Sequence, residues 1–178
     1  MIHRGHNIVK THSRQDWIYC VTSALQDPRD FMRPKLFTEL FFLDEATALA
    51  AGHRPCHLCN RARFDEFFAA WSHHFAMSRP TVKDVDGMLH AARIDDVGRK
   101  KTFFADAEQL FDGLMIKIPG STQPYLVHCD GIYPWTSHGY GIKDDLPRGE
   151  VEVLTPQPIH ELLRAGLKVG PRNPLLAW

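Results

Sequence analysis

Cys56 and Cys59 stand three apart in Arg54-Pro55-Cys56-His57-Leu58-Cys59. Across a tight turn, that spacing lets both sulfurs face one tetrahedral cation, and zinc is the ion that thiolates take in that geometry. A pair supplies half of a site, so the other ligands must come from elsewhere in the chain. Cys20 and Cys129 are the remaining cysteines. Cys129 follows His128 on an expected strand and reads as a buried free thiol, with Cys20 the better third ligand. Two other chemistries stay open for the pair. It can be two structural thiols, or a thioredoxin-like redox pair, which would follow a strand of a βαβ unit; here the residues ahead of it read as helix.

Charged and imidazole groups crowd the same turn. Arg54, Arg61 and Arg63 would lower thiol pKa values and could meet phosphate, which makes them the candidate nucleic-acid contacts. His57 lies between the cysteines with its side chain expected to point away, and His53 is expected to stand behind the ligands. His3, His6 and His12 read as exposed histidines of an N-terminal loop.

The elements that must position these groups are legible nearby. Phe37 to Leu43 is rich in Phe and Leu and reads as a mostly buried strand. Asp44 can cap a helix carrying Glu45 in its first turn, with Ala46, Leu49 and Ala50 on one close-packing face. Gly52 suits the left-handed residue after that helix, and Pro55 prevents its continuation. A second helix starts about Asn60, with Phe64, Phe67, Phe68, Trp71 and Phe75 as an apolar stripe. Cys59 then lies near a helix N-terminus, where thiolate is favoured. Upstream, Trp17 to Thr22 reads as a strand leading into Cys20.

The run Glu45-Ala46-x-Ala48-Leu49-Ala50-Ala51-Gly52-x-Arg54-Pro55-Cys56-x-x-Cys59 resembles the metal-binding domain of the Ada methylphosphotriester DNA-repair proteins. Trp17-Ile18-Tyr19-Cys20 resembles the strand end that carries that family's methyl-accepting cysteine, which is also a zinc ligand. The resemblance spans roughly residues 15–75. It implies Cys20, Cys56 and Cys59 as metal ligands, zinc as cofactor and DNA as partner, with Cys20 the nucleophile if a methyl group is transferred. Four residues beyond Cys20 stands Ala24, where the family has another cysteine. A fourth ligand would be a histidine, a water or Cys129. The whole chain also resembles a group of small bacterial proteins that share a TELFFLDEATALAAGHRPC-type core and later PWT-x-x-GYG and VLTP stretches.

In the second half, Val82 to Ile94 has the spacing of an amphipathic helix, and Asp106 to Phe111 reads as a short one. Leu114 to Ile118, Tyr125 to Cys129 and Val151 to Leu154 read as strands separated by Gly- and Pro-containing turns. Pro134 to Gly141 reads as an aromatic loop, able to line a pocket. Pro158 opens a last helix that Gly166 ends. The fold class expected is α+β. An Ada-like module over residues 1–78 would precede a small antiparallel sheet with flanking helices over 79–178.

Formal net charge is zero, and residues 1–80 and 81–178 carry +2 and −2. So even a balance argues against a strong nonspecific nucleic-acid binder. No apolar run is long enough for a membrane span, and four scattered cysteines suit a reducing cytoplasm. No nucleophile-elbow, Walker A, H-E-x-x-H or dinucleotide motif is present. Three functions fit: a zinc-binding, DNA-binding module related to repair; a zinc enzyme with an open metal position and His128 or His138 as base; or a metal-free interaction module of the Ada fold.

Overall fold

The computed structural model describes residues 3–4, 7–10, 12–21 and 40–169. Its N-terminal part is a set of short strands and helices. β1 (His3–Arg4) pairs antiparallel with β2 (Asn7–Ile8). β3 (Ile18–Tyr19) is followed, beyond a stretch outside the described residues, by α1 (Glu45–Ala50) and β4 (Arg54–Pro55). β3 and β4 pair in parallel, Ile18 with Arg54 and Tyr19 with Pro55.

α1 forms as its residues require. Asp44 accepts from the Thr47 amide at 2.9 Å while the Thr47 hydroxyl accepts from the Asp44 amide at 3.1 Å, a reciprocal cap. The small face of Ala46, Leu49 and Ala50 is buried. Gly52 has φ of +81°. A Cβ there would also come within 2.5 Å of the Arg93 side chain, so glycine is needed both for the turn and for that contact.

α2 (Arg61–His74) and α3 (Val82–Arg93) follow. Thr81 and Asp84 cap α3 by the same reciprocal pattern. Then comes the sheet: β5 (Phe103–Asp106), β6 (Met115–Lys117), β7 (Pro124–His128), β8 (Gly131–Thr136), β9 (Gly139–Tyr140), β10 (Asp144–Asp145) and β11 (Glu150–Val153). A 3-10 turn, Ala107–Gln109, stands where a short helix was expected. The strand order is β10-β8-β7-β6-β11-β5, all antiparallel, with β9 paired to β8. α4 (Gln157–Arg164) closes the described chain, with Pro158 in its first turn and Gly166 at φ +104° after it.

The α+β class therefore holds. A single core joins both halves: Leu49 of α1, Phe67 and Trp71 of α2, and Val85 and Leu89 of α3 pack with Ile116, Val127, Val153, Ile159 and Leu162 of the sheet and α4. Residues before and after position 78 both contribute to that core.

Three local expectations fail. Residues 40–43 form no strand, and Leu40 and Phe41 are exposed, while 37–39 lie outside the described residues. Phe-rich composition marks burial only when a neighbour covers it. The aromatic run Pro134–Gly141 is largely strand, the end of β8 turning through Ser137-His138 into β9. Pro134 is tolerated because its oxygen alone is used, accepting from the Gly141 amide at 2.8 Å. Finally, Cys129 is exposed, not buried, because it occupies the turn after β7 instead of the strand itself.

Candidate metal centre

The parallel register of β3 and β4 sets the site. The Arg54 amide donates to the Trp17 carbonyl, and the Cys56 amide to the Tyr19 carbonyl, both at 3.0 Å. Residue 18 faces 54 and residue 19 faces 55, so Cys20 and Cys56 leave the ends of adjacent strands side by side. Adjacent strands run about 4.8 Å apart. The chain then turns through His57-Leu58-Cys59 and enters α2 at Arg61.

The result is one group of three thiols. The sulfurs of Cys20, Cys56 and Cys59 all lie within 4.8 Å of one another. Around a tetrahedral zinc with bonds of about 2.3 Å, sulfurs stand about 3.8 Å apart, so small side-chain shifts close the cage. Cys56 is buried, Cys59 half-buried and Cys20 exposed.

The electrostatics suit a cation. Burial opposes ionisation of Cys56, but the amides of Cys59 and Leu58, then the thiols of Cys59 and Cys20, outweigh it and hold its pKa below the ordinary thiol value. Two backbone N–H groups aimed at one sulfur stabilise thiolate. Cys20 is pushed the other way, by burial first and then by Cys59 and Cys56, which favour its thiol as a donor. Cys56 therefore gives up its proton ahead of Cys20, and the protons of the two are held unequally. A divalent ion would replace those protons, as soft thiolate donors require.

Beside the exposed Cys20, Tyr19 is anchored to Glu45. The Tyr19 hydroxyl donates to Glu45 Oε1, and Arg63 Nε donates to the same oxygen at 2.7 Å. Arg63 also bonds the Lys168 carbonyl at 2.5 Å and pairs with Glu66 at 2.8 Å. Burial, then Glu45, raises the Tyr19 pKa far above the ordinary phenol value. Arg54 binds Asp86 of α3 through both oxygens, at 2.7 and 2.9 Å, with both side chains buried.

These pairings relocate two of the three candidate nucleic-acid contacts. Arg54 and Arg63 are buried in ion pairs and present no guanidinium to solvent. Arg61 is exposed and pairs with Asp65 at 2.9 Å. The residues ahead of Cys56 also differ from expectation: a two-residue strand, not a helix, leads into the pair.

Sequence reasoning missed Glu45, Asp86 and Arg93 as parts of the site. Arg93 is 1% exposed. It donates to the carbonyls of Gly52 and Gln15, both at 2.7 Å, and its guanidinium stands 3.9 Å from the Trp17 ring centre. It thus ties the segment before Cys20 to the loop before Cys56. The signal was present, since a charged residue at the end of an amphipathic stripe invites a partner, but two of its partners are backbone carbonyls and carry no residue signature.

Among the histidines, His53 is buried against Trp17 and Phe42, with ring centres 5.2 and 4.7 Å away. Burial, then Arg93, pushes its pKa down to about 3. His57 is exposed, stands edge-on to Phe64 and is not a member of the thiol group. His12 meets Trp17 and His90. The side chain of His3, and all of His6, lie outside the described residues. His138 sits exposed in the β8–β9 turn beside Ser137. Cys129 belongs to a different group, with Asp112 and His128. Among the described residues, the thiol group therefore offers three candidate ligands.

No family model, no curated protein and no solved structure matches this chain.

Proposed function

We propose that this chain is a zinc-thiolate protein of the Ada type, in which Cys20, Cys56 and Cys59 hold the ion. One observation carries the reading: a parallel two-strand register brings Cys20 beside a Cys-x-x-Cys turn 36 positions further along the sequence. Between Cys20 and His53 the sequence holds no other cysteine or histidine. Among the described residues no histidine or carboxylate joins the three sulfurs, and Cys129 belongs to a different group, which leaves the fourth position to a water or a bound molecule.

Cys20 is the exposed ligand, and that exposure supports a role as acceptor of an electrophile. A zinc-held thiolate remains nucleophilic. The resemblance to the Ada module makes a methylated DNA phosphotriester the first electrophile to test. In that reaction the Cys20 sulfur forms a bond to the methyl carbon, the carbon–oxygen bond breaks, and the phosphodiester leaves with the electron pair. DNA would be met by Arg61 and by the exposed Arg4 and Lys10.

Burial of Arg54 and Arg63 favours a second reading, in which the ion only ties the N-terminal segment to the turn. A ladder of two residue pairs is too short to hold that segment alone.

Zinc content of untagged protein, with and without Cys56→Ser, tests the centre. About one ion per chain is expected, lost in the variant; absence of zinc from the wild type sinks both readings. Intact-mass measurement after exposure to methylated DNA separates them. Uptake of one methyl group that Cys20→Ser abolishes supports the acceptor, and no uptake by the zinc-loaded protein leaves the tie.

A further inference from the structure

The turn between β7 and β8 holds a second group of reactive side chains. Cys129 Sγ lies 2.9 Å from His128 Nε2, and His128 Nδ1 lies 3.0 Å from Asp112 Oδ2. The imidazole therefore stands between thiol and carboxylate, with a different ring nitrogen nearest to each. One ring nitrogen, the sulfur and a carboxylate oxygen also lie within 4.8 Å of one another, a spacing that a metal ion can use. An interposed imidazole is the arrangement of nucleophile, base and orienting acid.

The backbone makes this possible. Consecutive residues on a strand point to opposite faces, so His128 and Cys129 would ordinarily be separated by the sheet. Instead His128 pairs with Gly131, leaving Cys129 and Asp130 as a two-residue turn with φ of +44° and +55°. Such turns favour Asn-Gly. A left-handed cysteine is costly, and strain of this kind gathers where function needs a side chain re-aimed. Here it swings the sulfur onto the ring of the preceding residue. Lys143 Nζ holds the Cys129 carbonyl at 2.6 Å, and Gly131 admits that lysine, since a Cβ would come within 2.2 Å of its chain.

We infer that Cys129, with His128 as base and Asp112 as positioning residue, is a single-thiol site for exchange with small exposed disulfides. The chemistry narrows to disulfides for two reasons. An acyl-transfer site needs amides free to receive an oxyanion, and the Cys129 amide is already committed to Asp112 Oδ1 at 3.0 Å. Exchange needs only an accessible thiolate and a proton acceptor, and Cys129 is exposed. His128 is held toward its neutral form by burial, against the pull of Asp112, so it is able to accept a proton.

The step balances without an outside oxidant. The Cys129 proton moves to His128 Nε2. The sulfur bonds to one sulfur of the disulfide, the old S–S bond breaks, and the departing thiolate recovers the proton from His128. The other three cysteines form their own group, so none resolves the mixed disulfide, and a second small thiol must release it.

The test uses the full chain and oxidised glutathione, with peptide-level mass spectrometry following each cysteine separately. Cys129 is expected to form the mixed disulfide, and His128→Gln to slow that reaction about a hundredfold, the lower end of the range for a lost general base. Asp112→Asn should slow it less, with folding of both variants verified by circular dichroism. Equal rates at Cys129 in wild type and folded His128→Gln would overturn the assignment. So would a second equivalent of zinc, lost in Cys129→Ser, that protects Cys129 from reaction. Because Cys129 is read on its own peptide, neither result depends on the thiol centre at Cys20.

Discussion

The amide of Cys56 donates to the carbonyl of Tyr19 across 3.0 Å, and this bond sets the distance between two cysteines far apart in sequence. It fixes the parallel register of β3 and β4, and Cys20 and Cys56 are the next residues on the two strands. Glu45 then holds Tyr19 from the other side. The thiol group is thus positioned by backbone pairing and by a buried carboxylate more than by its own turn.

That geometry makes metal removal a stability measurement. Zinc-loaded protein is expected to unfold at higher denaturant concentration than protein stripped by a chelator, because an ion bound only by the folded state adds to its stability. Cys59→Ser should bring the two curves together. Identical curves for loaded and stripped wild type would remove the ion's role in holding β3 to β4.

Arg54 and Asp86 form a buried pair between β4 and α3. Replacing either one alone, as Arg54→Met or Asp86→Leu, is expected to cost about 3–5 kcal/mol, since each leaves an uncompensated buried charge. The double variant should recover much of that loss. Urea denaturation of the four proteins gives the coupling, and additive losses would show that the pair does not act as a unit.

His53 should shape the acid limb of stability. Its folded pKa, pushed down to about 3 by burial and Arg93, lies below the ordinary value of 6.5. Between those values the unfolded chain takes up a proton that the fold refuses. The contribution is therefore present above pH 6.5 and lost as pH falls toward 3, by up to about 1.4 kcal/mol per pH unit. His90, His128 and His160 are shifted in the same direction. Denaturation of His53→Leu at pH 7 and pH 4.5 should show a smaller drop than wild type.

Duplex DNA binding, followed by anisotropy across a salt series, tests the surface arginine. Arg61→Ala should lower the magnitude of the log–log salt slope by about 0.9, the share of one phosphate contact. An unchanged slope would take Arg61 out of any DNA interface.

The strained turn offers a separate reading of cost. Asp130→Gly is expected to stabilise the protein by up to about 1 kcal/mol, because glycine carries no penalty at φ of +55°. Thermal unfolding measures it, and a loss of stability would mean that the Asp130 side chain contributes more than its backbone strain removes.

Local features were legible in the sequence because their causes are local. Asp44 and Gly52 bound α1 where cap chemistry and left-handed geometry require, and the apolar stripe of α2 turned inward through Phe64, Phe67 and Trp71. The Cys-x-x-Cys turn offers, by its spacing alone, two of the four ligands that a tetrahedral ion takes. The tertiary structure decided the rest. Arg54 and Arg63 read as surface charge until Asp86 and Glu45 arrive from 32 and 18 positions away and bury them. Cys129 read as core because alternation along β7 places it there, yet two left-handed residues turn the chain and expose it. Spacing along a chain encodes what one helix or turn can do. Partners supplied by register, crossing helices and backbone carbonyls appear only once the whole chain has packed.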